Sequence, residues 1–153
     1  YSGTLKNCYG VWENGYTSTE ADPRGIEADG NLDGDYSDHL RQSDFTVENM
    51  TIVNNAANTT DNVDRMQDVI KIRRGAKATI TNALVKGSGG TIDLIDMNDS
   101  KGAGNAASSI SITHTLNFKN KLNGTLNTFT EPTTNTGADA SLFTWSGYNF
   151  SSL

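Results

Sequence analysis

The chain alternates short runs of apolar and polar residues, and one small pattern of them recurs four times. Each copy has Thr or Ser, then an aliphatic residue, a variable residue and finally Asn or His. The copies occupy residues 4–7, 46–49, 79–82 and 111–114, so they recur every 32 to 42 residues. Units of this size cannot bury their own apolar face and must stack on their neighbours, so the recurrence predicts a solenoid.

A second pattern lies between copies of the first. Residues 25–29, 69–73 and 91–95 are short runs in which apolar and polar residues alternate. Such alternation is typical of strands with one buried face. The order of short strand, turn and longer strand predicts that equivalent strands of successive turns pair in parallel. We therefore predict an all-β fold, a parallel β-helix.

Stacking of the short strands predicts two columns of side chains. The inward column would consist of isoleucines, namely Ile26, Ile70 and Ile92. The outward column would alternate in charge, along Glu27, Lys71 and Asp93, with Asp29 beside Arg73. Stacked strands lie about 4.8 Å apart, and like charges at that distance destabilise a sheet. The columns therefore constrain the register of the strands.

The Asn that closes the first pattern predicts a ladder at a corner between strand and turn. Its members would be Asn7, Asn49 and Asn82. Asn tolerates left-handed backbone angles, and its amide can bond both to the backbone and to an Asn stacked above it. The alternative is coincidence, because the chain is rich in Asn and Thr.

Length and composition indicate a single domain (1–153) or the C-terminal fragment of one. The 153 residues are 35% hydrophobic and include 15 Gly but only 2 Pro, as expected for short strands joined by polar turns. The first residue is Tyr1 rather than Met, and its neighbours already have the strand pattern. We therefore expect a missing upstream part of the same chain, which would supply earlier coils and cover their unpaired edges.

The last part of the sequence differs from the rest. We expect residues 1–118 to supply the coils and residues 119–153 to form a C-terminal cap region. Large aromatic side chains would cover the open end of the apolar core, namely Phe143, Trp145, Tyr148 and Phe150. A surface on which sugar rings stack is the alternative for the same residues.

Charge and the reactive residue types exclude several functions. The net charge of −6 argues against nucleic acid as a partner, because phosphate binding needs clustered Lys and Arg. The basic residues between Lys71 and Lys77 are more simply a solvated strand end. Cys8 is the sole cysteine and is expected to act as a small, partly buried apolar residue. His39 and His114 lack the spacing of a zinc site.

The acidic segment after the first short strand is a candidate calcium site. Its ligands would be Asp29, Asn31, Asp33 and Asp35, which match the first half of a calcium loop that turns at Gly34. The twelfth position is Leu40 rather than the bidentate Glu of such loops. The alternative is an acidic turn exposed to solvent, and calcium is the one cofactor that the sequence suggests.

Enzymes that act on acidic polysaccharides have recognisable groups of residues. A lyase would need calcium ligands and a nearby base, roles for which Asp29, Asp33 and Arg73 are conceivable. A hydrolase of the polygalacturonase type would need grouped aspartates and a Gly-His-Gly turn, in which neither His39 nor His114 stands. The sequence therefore predicts no catalytic residues and favours a protein without enzymatic activity.

Three segments are distinctive enough to suggest relatives. They are residues 12–31, which contain Trp12-Glu13-Asn14-Gly15-Tyr16, residues 72–82, and residues 143–148. Together they resemble the C-terminal half of a family of Bacteroidetes secreted or outer-membrane lipoproteins, over nearly the whole chain. The resemblance implies a right-handed parallel β-helix of the pectin-lyase type and implies no catalytic residues.

The same resemblance implies a location and a function. The expected location is extracellular, at the cell surface, with an outer-membrane anchor in the full-length precursor. The expected function is that of an accessory or binding lipoprotein, which captures a glycan or peptide ligand beside an outer-membrane transporter complex. A polysaccharide lyase or glycoside hydrolase of the same fold, and a structural adhesin, are the alternatives.

Overall fold

The computed structural model describes residues 2–31, 42–56 and 65–152. Within these ranges the chain forms strands β1 (Ser2–Trp12), β2 (Arg24–Asp29), β3 (Asp44–Asn54), β4 (Met66–Arg73), β5 (Lys77–Gly87), β6 (Thr91–Asp96), β7 (Ser109–His114), β8 (Asn120–Asn123) and β9 (Thr128–Thr130). Two short 3-10 helices follow, Ala140–Ser146 and Phe150–Ser152. Neither helix, nor any other in these ranges, is long and apolar enough to cross a membrane.

The strands form two parallel sheets. Sheet A has the order β1-β3-β5-β7-β9, and sheet B has the order β2-β4-β6-β8. Every pair of neighbouring strands is parallel. Successive strands of the chain therefore belong alternately to one sheet and the other. This arrangement confirms the predicted all-β class with parallel sheets and is consistent with a β-helix.

Stacked aliphatic side chains build the core. In sheet A, Val47 of β3 pairs with Ile80 of β5, which pairs with Ile110 of β7, and at most 2% of each is exposed. In sheet B, Ile70 pairs with Ile95, and both are fully buried. Each such side chain contributes about 1.5–3 kcal/mol when it leaves water, so the columns hold the two sheets together.

The register of β6 differs from the sequence prediction. Ile70 pairs with Ile95 rather than Ile92, and Lys71 pairs with Asp96 rather than Asp93. The predicted columns were therefore wrong at β6, although the pairs of Glu27 with Lys71 and Asp29 with Arg73 are confirmed. The observed register buries both Leu94 and Ile95 completely, which explains why it is preferred.

The predicted asparagine ladder is confirmed. Asn7, Asn49 and Asn82 all have left-handed backbone angles, with φ of 55°, 58° and 51°. The amide of Asn49 donates to Oδ1 of Asn7 at 3.1 Å, and that of Asn82 donates to Oδ1 of Asn49 at 2.8 Å. The ladder therefore fixes the register of β1, β3 and β5 at the corner where each strand bends.

The fourth copy of the repeat does not continue the ladder. A register shift after Ile80 pairs Ala83 with Ile112 and Val85 with His114, so the alignment of His114 with Asn82 was wrong. Strand β7 has no residue with positive φ at this point and therefore no equivalent bend. The backbone N–H of Thr136 instead donates to Oδ1 of Asn82 at 2.8 Å.

The C-terminal segment lies along the outside of sheet A. Its contacts reach successive strands, since the side-chain amide of Asn135 donates to the carbonyl oxygen of Ala83 at 3.2 Å and the backbone N–H of Ala138 donates to Oγ1 of Thr51 at 3.0 Å. The ring of Phe150 then packs on Tyr9 of β1, with centroids 4.7 Å apart. We call residues 131–152 the strap.

The predicted aromatic end cap is therefore wrong in its position. Phe143 and Phe150 pack against Tyr9 on the outer face of sheet A rather than over an end of the core, and Trp145 is 82% exposed. Strand pairing also continues beyond residue 118, because β8 and β9 extend the two sheets. Hydrogen bonds to Asn82, Ala83 and Thr51 hold the strap along the outer face of sheet A. The aromatic rings of the strap therefore contact β1 on that face.

Replacing Asn49 by Ala tests the ladder. The change removes hydrogen bonds on both sides and places Ala at a left-handed position, so we expect a loss of about 1–3 kcal/mol in the free energy of unfolding. Chemical denaturation measures it. Asn49→Gly separates the two effects, since Gly has no left-handed penalty. The exposed Asn117→Ala is the control, and equal losses for Asn49→Ala and Asn117→Ala would contradict the ladder's role.

Candidate functional site

The face of sheet B opposite the apolar core carries two columns of polar side chains. The first column contains Arg24, Asp68, Asp93 and Asn120. The second contains Glu27, Lys71, Asp96 and Asn123. We call these side chains the sheet B array. Each strand of the sheet contributes one residue to each column, and the contact of Arg24 with Glu27, 3.0 Å apart, shows that the two columns lie side by side.

Hydrogen bonds and ion pairs connect the array across the strands. Nε of Arg24 donates to Oδ2 of Asp68 at 3.2 Å. The amide of Asn120 donates to Oδ1 of Asp93 at 2.7 Å. Lys71 forms an ion pair with Asp96. These contacts run between neighbouring strands, so they hold the side chains in fixed positions before any ligand binds.

The centre of the array is a group of buried carboxylates. Asp68, Asp93 and Asp96 are 7%, 5% and 8% exposed, and each offers an oxygen within 4.8 Å of the others. Lys71 beside them is 7% exposed. Glu27 and Asn120 are exposed and form the rim. The array therefore has a charged floor and a polar rim open to solvent.

The electrostatics of this floor raise the pKa of one carboxyl group. Burial raises the pKa of Asp68, and the nearby Asp96 raises it further, whereas the hydrogen bond from Arg24 and the charge of Lys71 act in the opposite direction. The net result is a raised pKa. A raised pKa is the direction that a general acid requires, and carboxylate oxygens that converge can also hold a hard cation.

The structure describes only part of the predicted calcium site. The carboxylate of Asp29 is engaged by Arg73, with Nη2 of Arg73 lying 3.3 Å from Oδ2 of Asp29. The backbone N–H of Asn31 donates to Oε1 of Gln42 at 2.8 Å. Asp33 and Asp35 lie outside the described residues. Calcium at this position therefore stays a prediction.

Arg73 is unsuited to the role of catalytic base that the sequence suggested. Its guanidinium forms ion pairs with Glu27 and Asp29 of β2 and with Asp99 in the loop after β6. The hydrogen bond to Asp29 raises the pKa of Arg73 well above its ordinary value, and Glu27 and Asp99 add to this shift. Arg73 therefore stays charged and ties neighbouring units together.

The histidine considered for hydrolysis lies in the other sheet. Nε2 of His114 is 2.7 Å from Oε1 of Glu131, and Nζ of Lys121 is also 2.7 Å from that oxygen. His114 belongs to β7 of sheet A, whereas the array belongs to sheet B. His39 lies outside the described residues. The array thus contains acids, amides and cations but no histidine from the described part of the chain.

The sequence analysis missed the array although a signal for it exists. Polar residues recur three positions apart in every strand of sheet B, as in Asp68 with Lys71 and Asp93 with Asp96. We aligned β6 by its first isoleucine, so Asp93 was placed beside Lys71. Asp96, Asn120 and Asn123 were consequently not considered as members of one surface.

Two sheets of parallel strands, to which successive strands of the chain belong alternately, are consistent with a β-helix. Comparison with protein families agrees, because the model of the pectate-lyase-like beta helix domain matches residues 1–148. The chain belongs to this family. Comparison with curated proteins and with solved structures gave no match.

The raised pKa of Asp68 predicts a pH dependence of stability. The folded state binds this proton more tightly than the unfolded state, so Asp68 stabilises the fold at low pH. This stabilisation is lost as the pH rises from about 3.8, the ordinary value, through the folded pKa. The free energy of unfolding of the wild type should therefore fall relative to that of Asp68→Asn over this pH range.

Chemical denaturation of both proteins across the acidic range measures this difference. Arg24→Gln provides a second comparison, because it removes a hydrogen bond that lowers the pKa of Asp68. The decline with pH should then be larger and extend to higher pH. A wild-type stability that rises relative to Asp68→Asn would show that the charged form of Asp68 is the favoured one.

Proposed function

We propose that this protein binds an uncharged polysaccharide along the sheet B array. The observation that supports the proposal is the array itself, a fixed set of carboxylates, amides and cations on one face of a parallel sheet. Sugar hydroxyls both donate and accept hydrogen bonds, so they suit a surface that offers both kinds of partner. Strands about 4.8 Å apart give the columns a length of about 14 Å, enough for several sugar rings.

The charges of the array favour an uncharged ligand. Its carboxylates, Glu27, Asp68, Asp93 and Asp96, outnumber its cations, Arg24 and Lys71. The whole chain also has a net charge of −6. A polyuronate would meet repulsion on such a surface, whereas a neutral polysaccharide would only exchange hydrogen bonds with water for hydrogen bonds with the array.

The rim offers contacts that a ligand can use. The Asn120 side chain is exposed, and its amide is held in place by Asp93. The other oxygen of Asp93, Oδ2, takes no hydrogen bond from the described part of the chain. Asn120 therefore presents its amide to a ligand at the rim, next to the buried carboxylate of Asp93.

We also propose that the chain forms a right-handed solenoid and that the protein lies at the cell surface. The alternation of the two parallel sheets supports the solenoid, and crossover connections between parallel strands are right-handed in nearly all proteins. The cell-surface location, the membrane anchor and the partnership with a transporter rest on the resemblance to surface lipoproteins. Capture of a polysaccharide without cleavage is the activity that fits such an accessory protein.

Retention on polysaccharides in affinity electrophoresis tests the proposal. The intact protein should be retarded by at least one neutral polymer among xylan, galactan and mixed-linkage β-glucan, and not by polygalacturonate. Asn120→Ala should weaken the binding about three- to tenfold, the usual effect of one lost hydrogen bond. Asn127→Ala is the matched control, because Asn127 is also exposed but adjoins sheet A. Absence of retardation by all the neutral polymers would refute the proposal.

A glycoside hydrolase is the second candidate, and the grouping of Asp68, Asp93 and Asp96, with oxygens within 4.8 Å of one another, favours it. Asp68 would donate its proton to the oxygen of the leaving sugar. Asp93, whose Oδ2 is not engaged within the described residues, would activate water or attack the sugar. Asp96 forms an ion pair with Lys71 and accepts a hydrogen bond from Asn123. It would therefore fix the charges beside Asp68 and Asp93 rather than react itself.

Release of reducing ends from the polymer that is retained distinguishes binding from cleavage. If the protein is a hydrolase, Asp68→Asn should lower the rate by about a hundredfold or more, because it removes the general acid while the binding surface remains. Retardation in affinity electrophoresis should fall much less than the rate in that variant. A protein that is retained but releases no reducing ends is a binding protein, and one that does neither is better explained as an adhesin.

A further inference from the structure

An apolar pocket of about 350 Å³ lies where β1 ends and β2 begins. Ile52 and Met66 form its floor, and both are at least nine-tenths buried. Trp12 and Tyr16 line one side, and Arg24 lies at its edge. Sites for small molecules generally have volumes from about 300 Å³ upward, so this pocket has room for a single ring rather than an extended chain.

Glycine at positions 10 and 25 shapes the pocket. Gly10 pairs with Ile52, which pairs with Val85, so it occupies an inward position that is aliphatic in the next two strands of sheet A. A Cβ atom added at Gly10 would have no heavy atom within 4 Å. A Cβ at Gly25, across the pocket, would come within 2.6 Å of the carbonyl oxygen of Val69. Glycine at position 10 leaves the space, and glycine at position 25 lets β2 approach β4 closely.

The aromatic side of the pocket is held in place by the protein itself. Nε1 of Trp12 donates to the carbonyl oxygen of Tyr16 at 3.1 Å, and the two rings meet edge to face with centroids 6.3 Å apart. The hydroxyl of Tyr148 in the strap donates to Glu13 on the same segment. The ring of Tyr16 nevertheless remains 66% exposed. A ligand would therefore find an aromatic face already positioned.

The pocket is continuous with the sheet B array. Arg24 lines the pocket and also begins the first column of the array, where it bonds to Asp68. Its Nη1 lies 3.0 Å from Oε2 of Glu27, which begins the second column. A ligand that lies on the array and extends past β2 would reach the pocket.

We infer that this pocket is a subsite for the terminal ring of the polysaccharide, an inference that rests on the proposed function. A sugar ring has a face of C–H groups and an edge of hydroxyls. The face suits Trp12, Tyr16 and Ile52, and the hydroxyls suit the charged edge at Arg24 and Glu13. Because Ile52 and Met66 close the floor, the chain ends there and the pocket selects chain ends.

Filling the pocket tests the inference. In Gly10→Leu, the new side chain should occupy the space and weaken the binding of xylohexaose or cellohexaose, whichever the intact protein binds, about tenfold or more in calorimetric titration. Gly3→Leu is the matched control, since it lies in the same strand, also has open space around an added Cβ and does not line this pocket. It should leave the affinity within about twofold.

A second pair of variants covers the case in which Gly10→Leu does not fold, as judged by circular dichroism. Tyr16→Ala removes the exposed ring at the pocket, and Trp145→Ala removes a ring of the strap that is 82% exposed. The first should weaken the binding of the hexasaccharide about tenfold, and the second should leave it unchanged.

The outcomes separate the inference from the proposed function. If Asn120→Ala weakens binding but the folded Gly10→Leu and Tyr16→Ala proteins bind as the wild type does, the subsite is wrong and the array still binds the polysaccharide. If the intact protein binds neither hexasaccharide nor any neutral polymer, the proposed function and the subsite both fail. Weakened binding in Gly3→Leu equal to that in Gly10→Leu would likewise overturn the subsite.

Discussion

The register of the parallel strands is the constraint on which the rest of the structure depends. Side chains at equivalent positions stack about 4.8 Å apart, so each strand must bring like residues over like residues. The ladder of Asn7, Asn49 and Asn82 sets this register in sheet A, because each amide bonds to the next at a left-handed corner. In β1, β3 and β5 the aliphatic columns of the core align together with these corners.

The same register determines the chemistry of the outer face of sheet B. Buried charges are costly unless they are paired, and the observed alignment places Lys71 against Asp96 and Arg24 against Asp68. A set of aliphatic side chains at these positions would be easier to bury. The presence of an ionic floor under a polar rim is therefore better explained by interaction with the proposed polar ligand than by stability alone.

The sequence predicted the strands and corners that depend on a local residue pattern. It did not predict the features that depend on how one strand stacks on the next. Strands β2 and β4 and the asparagine corners were found because alternation and the Asn repeat are visible within a few residues. Strand β8, Asn120–Asn123, has a single apolar residue and gives no such signal. The register of β6 depends on burying Leu94 and Ile95 against β4, and the array depends on that register. Its members come from four separate strands, so no local motif contains them.

The two outer faces of the molecule are used differently, and this difference favours sheet B as the binding face. The strap crosses the outer face of sheet A and leaves Thr51, which would otherwise meet solvent there, only 1% exposed. Backbone N–H groups of the strap thus donate hydrogen bonds to side chains on the outer face of sheet A. Glu27 and Asn120 on sheet B, by contrast, remain exposed. Since Tyr148 of the strap also bonds to Glu13 beside the pocket, the segment that covers one face supports the aromatic side of the pocket at the end of the other.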